Sequence, residues 1–72
     1  MYTTKEAVRV SEELSNLLEV LKELGKDYYD LSKEHVQEVL KKIVNVWKLL
    51  DEDSKSRAKE LMSLAKKFES AS

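Results

Sequence analysis

The stretch 49-LLDEDSKSRAKEL-61 decides how this chain is read. Two leucines give way to seven polar residues, Asp51 to Arg57, and a helical pattern then resumes without a glycine or proline having intervened. Either the chain turns here, or one long helix runs through. Phase favours continuity: Leu40, Ile43, Trp47 and Leu50 lead at spacings of three and four through Ser54 and Arg57 to Leu61, Leu64 and Phe68. Three features favour a turn. The apolar gap is long, Asp and Ser compete with helix interiors through their own backbone hydrogen bonds, and acids and hydroxyls stand where an N-cap and the positive end of a helix dipole favour them. The expectation is a turn, with Asp53 or Ser54 capping a helix that buries Ala58, Leu61, Met62, Leu64, Ala65 and Phe68 and frays at ESAS.

Upstream, TTKE carries the spacing of a capping box: Thr3 caps, Glu6 reaches back, and Tyr2 takes the staple position. Ala7, Val10, Leu14, Leu17, Leu21 and Leu24 then form one stripe, widened by Leu18 and Val20 to a core-facing width. Gly25 follows the stripe, where a left-handed C-cap favours glycine. GKDYYDLS, residues 25–32, reads as a connector, with Ser32 as the next N-cap and Leu31 and Val36 at staple spacing. Val36, Val39, Leu40, Ile43, Val44, Val46, Trp47 and Leu50 follow as a wide apolar face. Four of these are valines of modest helix propensity, so burial must hold the segment helical.

The sequence therefore predicts one all-α domain, 1–72, with helices at about 4–25, 33–50 and 54–70, roughly 33, 28 and 25 Å long at the α-helical rise. Short connections make neighbouring helices antiparallel, giving an up-down-up three-helix bundle. The alternative is a helical hairpin with a long second helix that dimerises into a bundle.

Composition agrees with this class. Of 72 residues, 42% are apolar and 38% charged, with one glycine and no proline or cysteine, a mixture typical of helical bundles. Apolar runs of two residues fall far short of a membrane span, and no signal-peptide apolar region opens the chain. A soluble protein is expected, and the lack of cysteine is consistent with a reducing cytoplasm. The formal net charge of −1 argues against a sequence-independent grip on nucleic acid. Residues 1–30 carry four basic and seven acidic side chains, and residues 31–72 carry nine and seven, which makes neither a tail nor a patch. Regular stripes and caps also fit an engineered chain; the irregular connector and the valine-rich helix argue the other way.

The residues offer little chemistry. His35, the only histidine, lies in EHVQE with Glu34 and Glu38, but a dimetal site in a bundle needs matching Glu and His residues from facing helices, and no such set is present. No serine has an identifiable base, no glycine-rich loop can cradle phosphate, and a core this small leaves little room for a ligand pocket. The expectation is no enzyme, no catalytic residue, no metal, no cofactor and no small-molecule substrate.

In LLEVLKELGKDYY, the spacing of Leu17, Leu21, Leu24, Gly25 and Tyr28 resembles the groove-binding helix of pro-apoptotic proteins. Lys26 replaces that family's defining Asp, which is displaced to Asp27, and Gly25 is explained as a helix stop, so no function is carried over. The leading expectation is a protein-interaction module or scaffold that binds another protein or itself, without a membrane. Tyr28, Tyr29, Val8 and Leu49 are its candidate contact residues: Tyr29 as an exposed aromatic in the connector, Tyr28 as a roof over the bundle end, and Val8 and Leu49 as apolar residues off their helices' stripes. Two alternatives are a small regulatory domain contacting nucleic acid through Lys55, Arg57, Lys59, Lys66 and Lys67 of the last helix, and a structural oligomerisation module.

Overall fold

The computed structural model describes residues 3–71, and all of its regular structure is helical. Four α-helices follow in chain order: α1 (Thr4–Leu24), α2 (Lys26–Leu31), α3 (Lys33–Asn45) and α4 (Glu52–Ser70), with a 3₁₀ turn at Trp47–Leu49 between the last two. Helix α1 packs against both α3 and α4, α3 also meets α4, and α2 closes against all three. The long dimension is 36 Å and the others 20 and 17 Å.

Helix α1 begins as its sequence dictates. Thr3 is extended, and its Oγ1 accepts a hydrogen bond from the Glu6 amide at 3.3 Å. Tyr2, the expected staple, lies outside the described residues. Ala7, Val10, Leu14, Leu17, Leu18 and Leu21 are buried. Leu24, the last residue of the expected stripe, is exposed because the helix ends under it.

Gly25 ends α1, but not in the left-handed helical well. Its φ of 75° and ψ of −154° lie in a region that is essentially glycine's alone. The turn reverses direction sharply enough for α2 to start at the next residue. The expected connector is thus mostly helix, one and a half turns over Lys26–Leu31, held by the Lys26–Asp30 ion pair at 2.8 Å. The groove-binding resemblance finds no continuous helix either, since Gly25 breaks it and Leu17 and Leu21 are core.

Ser32 does not cap α3 with its side chain. Its Oγ donates instead to the Tyr28 carbonyl at 2.7 Å, closing α2 from its C-terminal end. No staple forms, because Leu31 is 88% exposed while Val36 is fully buried. Val36, Val39, Ile43 and Val46 are core; Val44, expected in the same face, is exposed, so that face is narrower than its valines suggest.

The chain does break before α4, but earlier than expected. Helix α3 stops at Asn45, the 3₁₀ turn follows, Leu50 is extended, and Asp51 is the N-cap, its Oδ1 accepting from the Ser54 amide at 2.8 Å. Asp53 and Ser54 lie inside the helix. Glu52 and Asp53 occupy the first turn, where the dipole favours acids. The apolar gap is real, yet helical: Ser54 fills its core position, 5% exposed, with its Oγ 2.6 Å from the Ser11 Oγ across the interface with α1. Ser54, Ala58 and Ala65 are small, so α4 presents little bulk where it meets α1. Leu61 is fully buried, whereas Met62, expected in the core, is exposed.

Candidate functional site

Val8 and Leu49, chosen from the sequence because each leaves its own stripe, come together. Both line an open groove of about 240 Å³ between the first turns of α1, the 3₁₀ turn and the start of α4. Val8 is turned outward because it follows Ala7, which takes the inward position. Leu49 is turned outward because the 3₁₀ turn holds Leu50 against the core; the two are 54% and 44% exposed.

Hydroxyls and carboxylates complete the groove. Ser11 and Ser54, hydrogen-bonded to each other, line it with Thr4, Glu12 and Asp51. The Ser54 backbone N–H, with help from the Ser54 hydroxyl, holds the Asp51 carboxyl below its ordinary value, so it is anionic at neutral pH. Two exposed aliphatic side chains beside the buried Ala7 and Leu50, with the Glu12 and Asp51 carboxylates in the same lining, can receive an apolar anchor and pair with a cation beside it.

Of the two tyrosines, Tyr29 belongs to the other end of α4. Tyr29 is buried, 3% exposed, contrary to its expected role as an exposed contact. Its ring lies 5.4 Å from that of Phe68, and its hydroxyl donates to Glu69 Oε1 at 2.9 Å. Burial, then the Glu69 carboxylate, push its phenol up to about 12. Lys33 pairs with the same Glu69 oxygen at 2.7 Å, and Lys33 and Tyr29 together hold the Glu69 carboxyl below its usual range. Because α2 is a helix rather than a loop, Tyr29 points into the bundle. Tyr28 is half-buried against the core and forms part of a shallow hollow with Glu13, Val20 and His35.

His35 is exposed on α3, beside Glu34 and Glu38 in an open hollow. Among the described residues no three His, Asp or Glu side chains are grouped to hold a metal ion, and no helix is long and apolar enough to cross a membrane. Exposed apolar residues that sequence reading did not single out are Leu31, Val44, Leu24 and Met62. Each had an assigned place in a stripe, a staple or a face, so only the helix ends and rotations could have shown them as exposed.

Compared with protein-family models, with curated proteins and with solved structures, the chain matches none.

Proposed function

We propose that the chain is a non-enzymatic protein-interaction module, a self-contained up-down-up bundle of α1, α3 and α4 that receives a partner's apolar side chain in the Val8–Leu49 groove. The observation that carries the reading is the meeting of two exposed aliphatic residues, 41 positions apart in sequence, over one groove. Packing of α1 on both α3 and α4, and of α3 on α4, supports the bundle, as do the short links between the helices. Clustered exposed apolar side chains rimmed by polar groups mark interaction surfaces more often than scattered ones do. The groove lies on residues of three elements and needs the fold to exist.

The test is selection of peptides from a displayed random library against the folded protein. Selected peptides should carry an apolar anchor and lose at least tenfold in affinity for Val8→Asp. Val44→Asp, an exposed apolar site elsewhere, should leave binding unchanged. Peptides indifferent to Val8→Asp, with the variant's helicity intact, would remove the groove from the account.

A further inference from the structure

The net charge of −1 conceals a local cluster of cations on the outward side of α4. Residues 56–70 run SRAKELM, SLAKKFE, S: serine recurs at 56, 63 and 70, alanine at 58 and 65, lysine at 59 and 66, and a large apolar residue at 61 and 68. Seven residues are nearly two turns, so each class forms its own row along the helix. The alanines, Leu61 and Phe68 face the core. Ser56, Lys59, Ser63, Lys66, Lys67 and Ser70 are all exposed and fall on the opposite side, with successive heptads about 10 Å apart along the axis.

The acids of α4 beyond its first turn are engaged elsewhere. Glu60 pairs with Lys22 of α1, and Glu69 pairs with Lys33 of α3 and accepts from Tyr29 of α2. Two other cations of the helix are also engaged: Lys55 lies 4.0 Å from Glu52, and Arg57 donates to Ser15 at 2.9 Å. Among the described residues, the side chains of Lys59, Lys66 and Lys67 have neither ion pair nor hydrogen bond. Exposed acids without an ion pair among the described residues include Glu12, Glu19 and Glu23 on α1, and Asp53 in the first turn of α4. A polyanion approaching the outward side of α4 would therefore meet three unpaired ammonium groups within about two turns, whatever the sum of charges.

We infer that the outward face of α4, with Lys59, Lys66 and Lys67 alternating with Ser56, Ser63 and Ser70, is a contact surface for the phosphodiester backbone of a nucleic acid. Lysine ammonium groups neutralise phosphates, and serine hydroxyls donate to phosphate oxygens. The row has no aromatic or arginine anchor of the kind that dominates protein interfaces, and no apolar side to sink into lipid. It also lacks the Arg, Asn or Gln that would read base edges, so the contact is independent of sequence. This face shares no residue with the Val8–Leu49 groove, so either proposal can fail alone.

Three phosphate contacts set the expected salt dependence: a slope of log affinity against log salt near −2.7 for duplex and −2.1 for single strands, or about a 40-fold and 20-fold loss between 50 and 200 mM. The experiment is fluorescence anisotropy with a labelled 20-base-pair DNA duplex and a 20-nucleotide single strand, starting at 20 mM salt, with the intact chain. Lys59→Gln, Lys66→Gln and Lys67→Gln combined should lower affinity at least tenfold and flatten the salt slope. Lys5→Gln, Lys41→Gln and Lys48→Gln combined change the net charge equally at exposed sites off this face and should stay within about threefold of the wild type by the same counterion logic. Circular dichroism confirms that both variants remain helical. Equal losses in the two variants, no binding at 20 mM salt, or binding to phosphatidylserine vesicles but to neither oligonucleotide would each overturn the inference.

Discussion

Replacing Gly25 with L-alanine and, by chemical synthesis, with D-alanine should move stability in opposite directions. Gly25 has φ 75° and ψ −154°, the one positive φ among the described residues. An L side chain there meets no atom within 4 Å, so the penalty is backbone strain alone. That strain costs on the order of 1–3 kcal/mol, offset by about 0.4–1 kcal/mol from a less flexible unfolded chain. The net loss lies between about 0 and 2.6 kcal/mol and centres on about 1.3 kcal/mol, or roughly 5–10 °C in Tm for a domain of this size. For a D-residue the sign of every dihedral inverts, and the site becomes equivalent to φ −75° and ψ 154°, an ordinary extended conformation. D-alanine keeps the Gly25 amide that donates to the Leu21 carbonyl at 2.9 Å and the carbonyl that accepts from Tyr29 at 3.2 Å. It should therefore raise stability by about 0.4–1 kcal/mol. Asparagine, which tolerates a left-handed helical cap, should do no better than L-alanine, because ψ lies outside that well. Urea titrations followed by circular dichroism at 222 nm measure all four proteins. A stabilised L-alanine variant, or rescue by asparagine, would show that the turn between α1 and α2 is not the one described.

Leu14→Ala, at a fully buried position, should cost about 2–5 kcal/mol, comparable to the whole stability of a domain this small, and leave the chain largely unfolded by circular dichroism. Asp51→Ala should lower Tm at pH 7 by removing the N-cap; since Asp51's carboxyl is held below its ordinary value in the fold, its contribution is present above the unfolded value and fades as pH falls through the folded one, so the gap between wild type and variant should narrow with acidification. Tyr29's phenol is pushed up to about 12: the fold favours its neutral form, stability is intact below the ordinary phenol value near 10 and is lost as pH climbs towards 12. Tyr29→Phe should therefore lose less of its pH 7 stability at pH 11.5 than the wild type does, as read by thermal melts.

What could be read from the sequence was what depends on short-range pattern. The stripe of α1 as far as Leu21, the Thr3 cap and a stop at Gly25 rest on contacts within a few residues, and each reappears, though Leu24 is exposed and Gly25 lies outside the left-handed helical well. What depends on rotation about a helix axis did not come through. Val44 and Met62 are apolar and adjacent to buried positions, but the width of a buried face is set by the neighbouring helices, and here it excludes them. The end of α3 was misplaced because the phase of Ile43, Trp47 and Leu50 suits a helix, while the 3₁₀ turn keeps Leu50 buried without one. Asp51 is not legible as the cap because Asp53 and Ser54 suit one equally well by residue type, and only Ser11 of α1 shows that Ser54 is a core contact inside the helix. Tyr29 was misplaced because two tyrosines between a glycine and a serine look like loop, and only the Phe68 ring and Glu69 of α4, some 40 residues away, explain their helix. Of the four candidate contact residues, Val8 and Leu49 share a groove, which departure from a stripe could suggest one residue at a time but not as a pair.

The account rests on a chain that closes its own core through the break between Asn45 and Glu52. Sedimentation equilibrium from micromolar to near-millimolar protein tests this most directly. A mass of 8.4 kDa at every concentration is the expected result; a mass rising to that of a dimer over this range would mean that the buried faces are shared between chains and that α3 and α4 need not fold back within one.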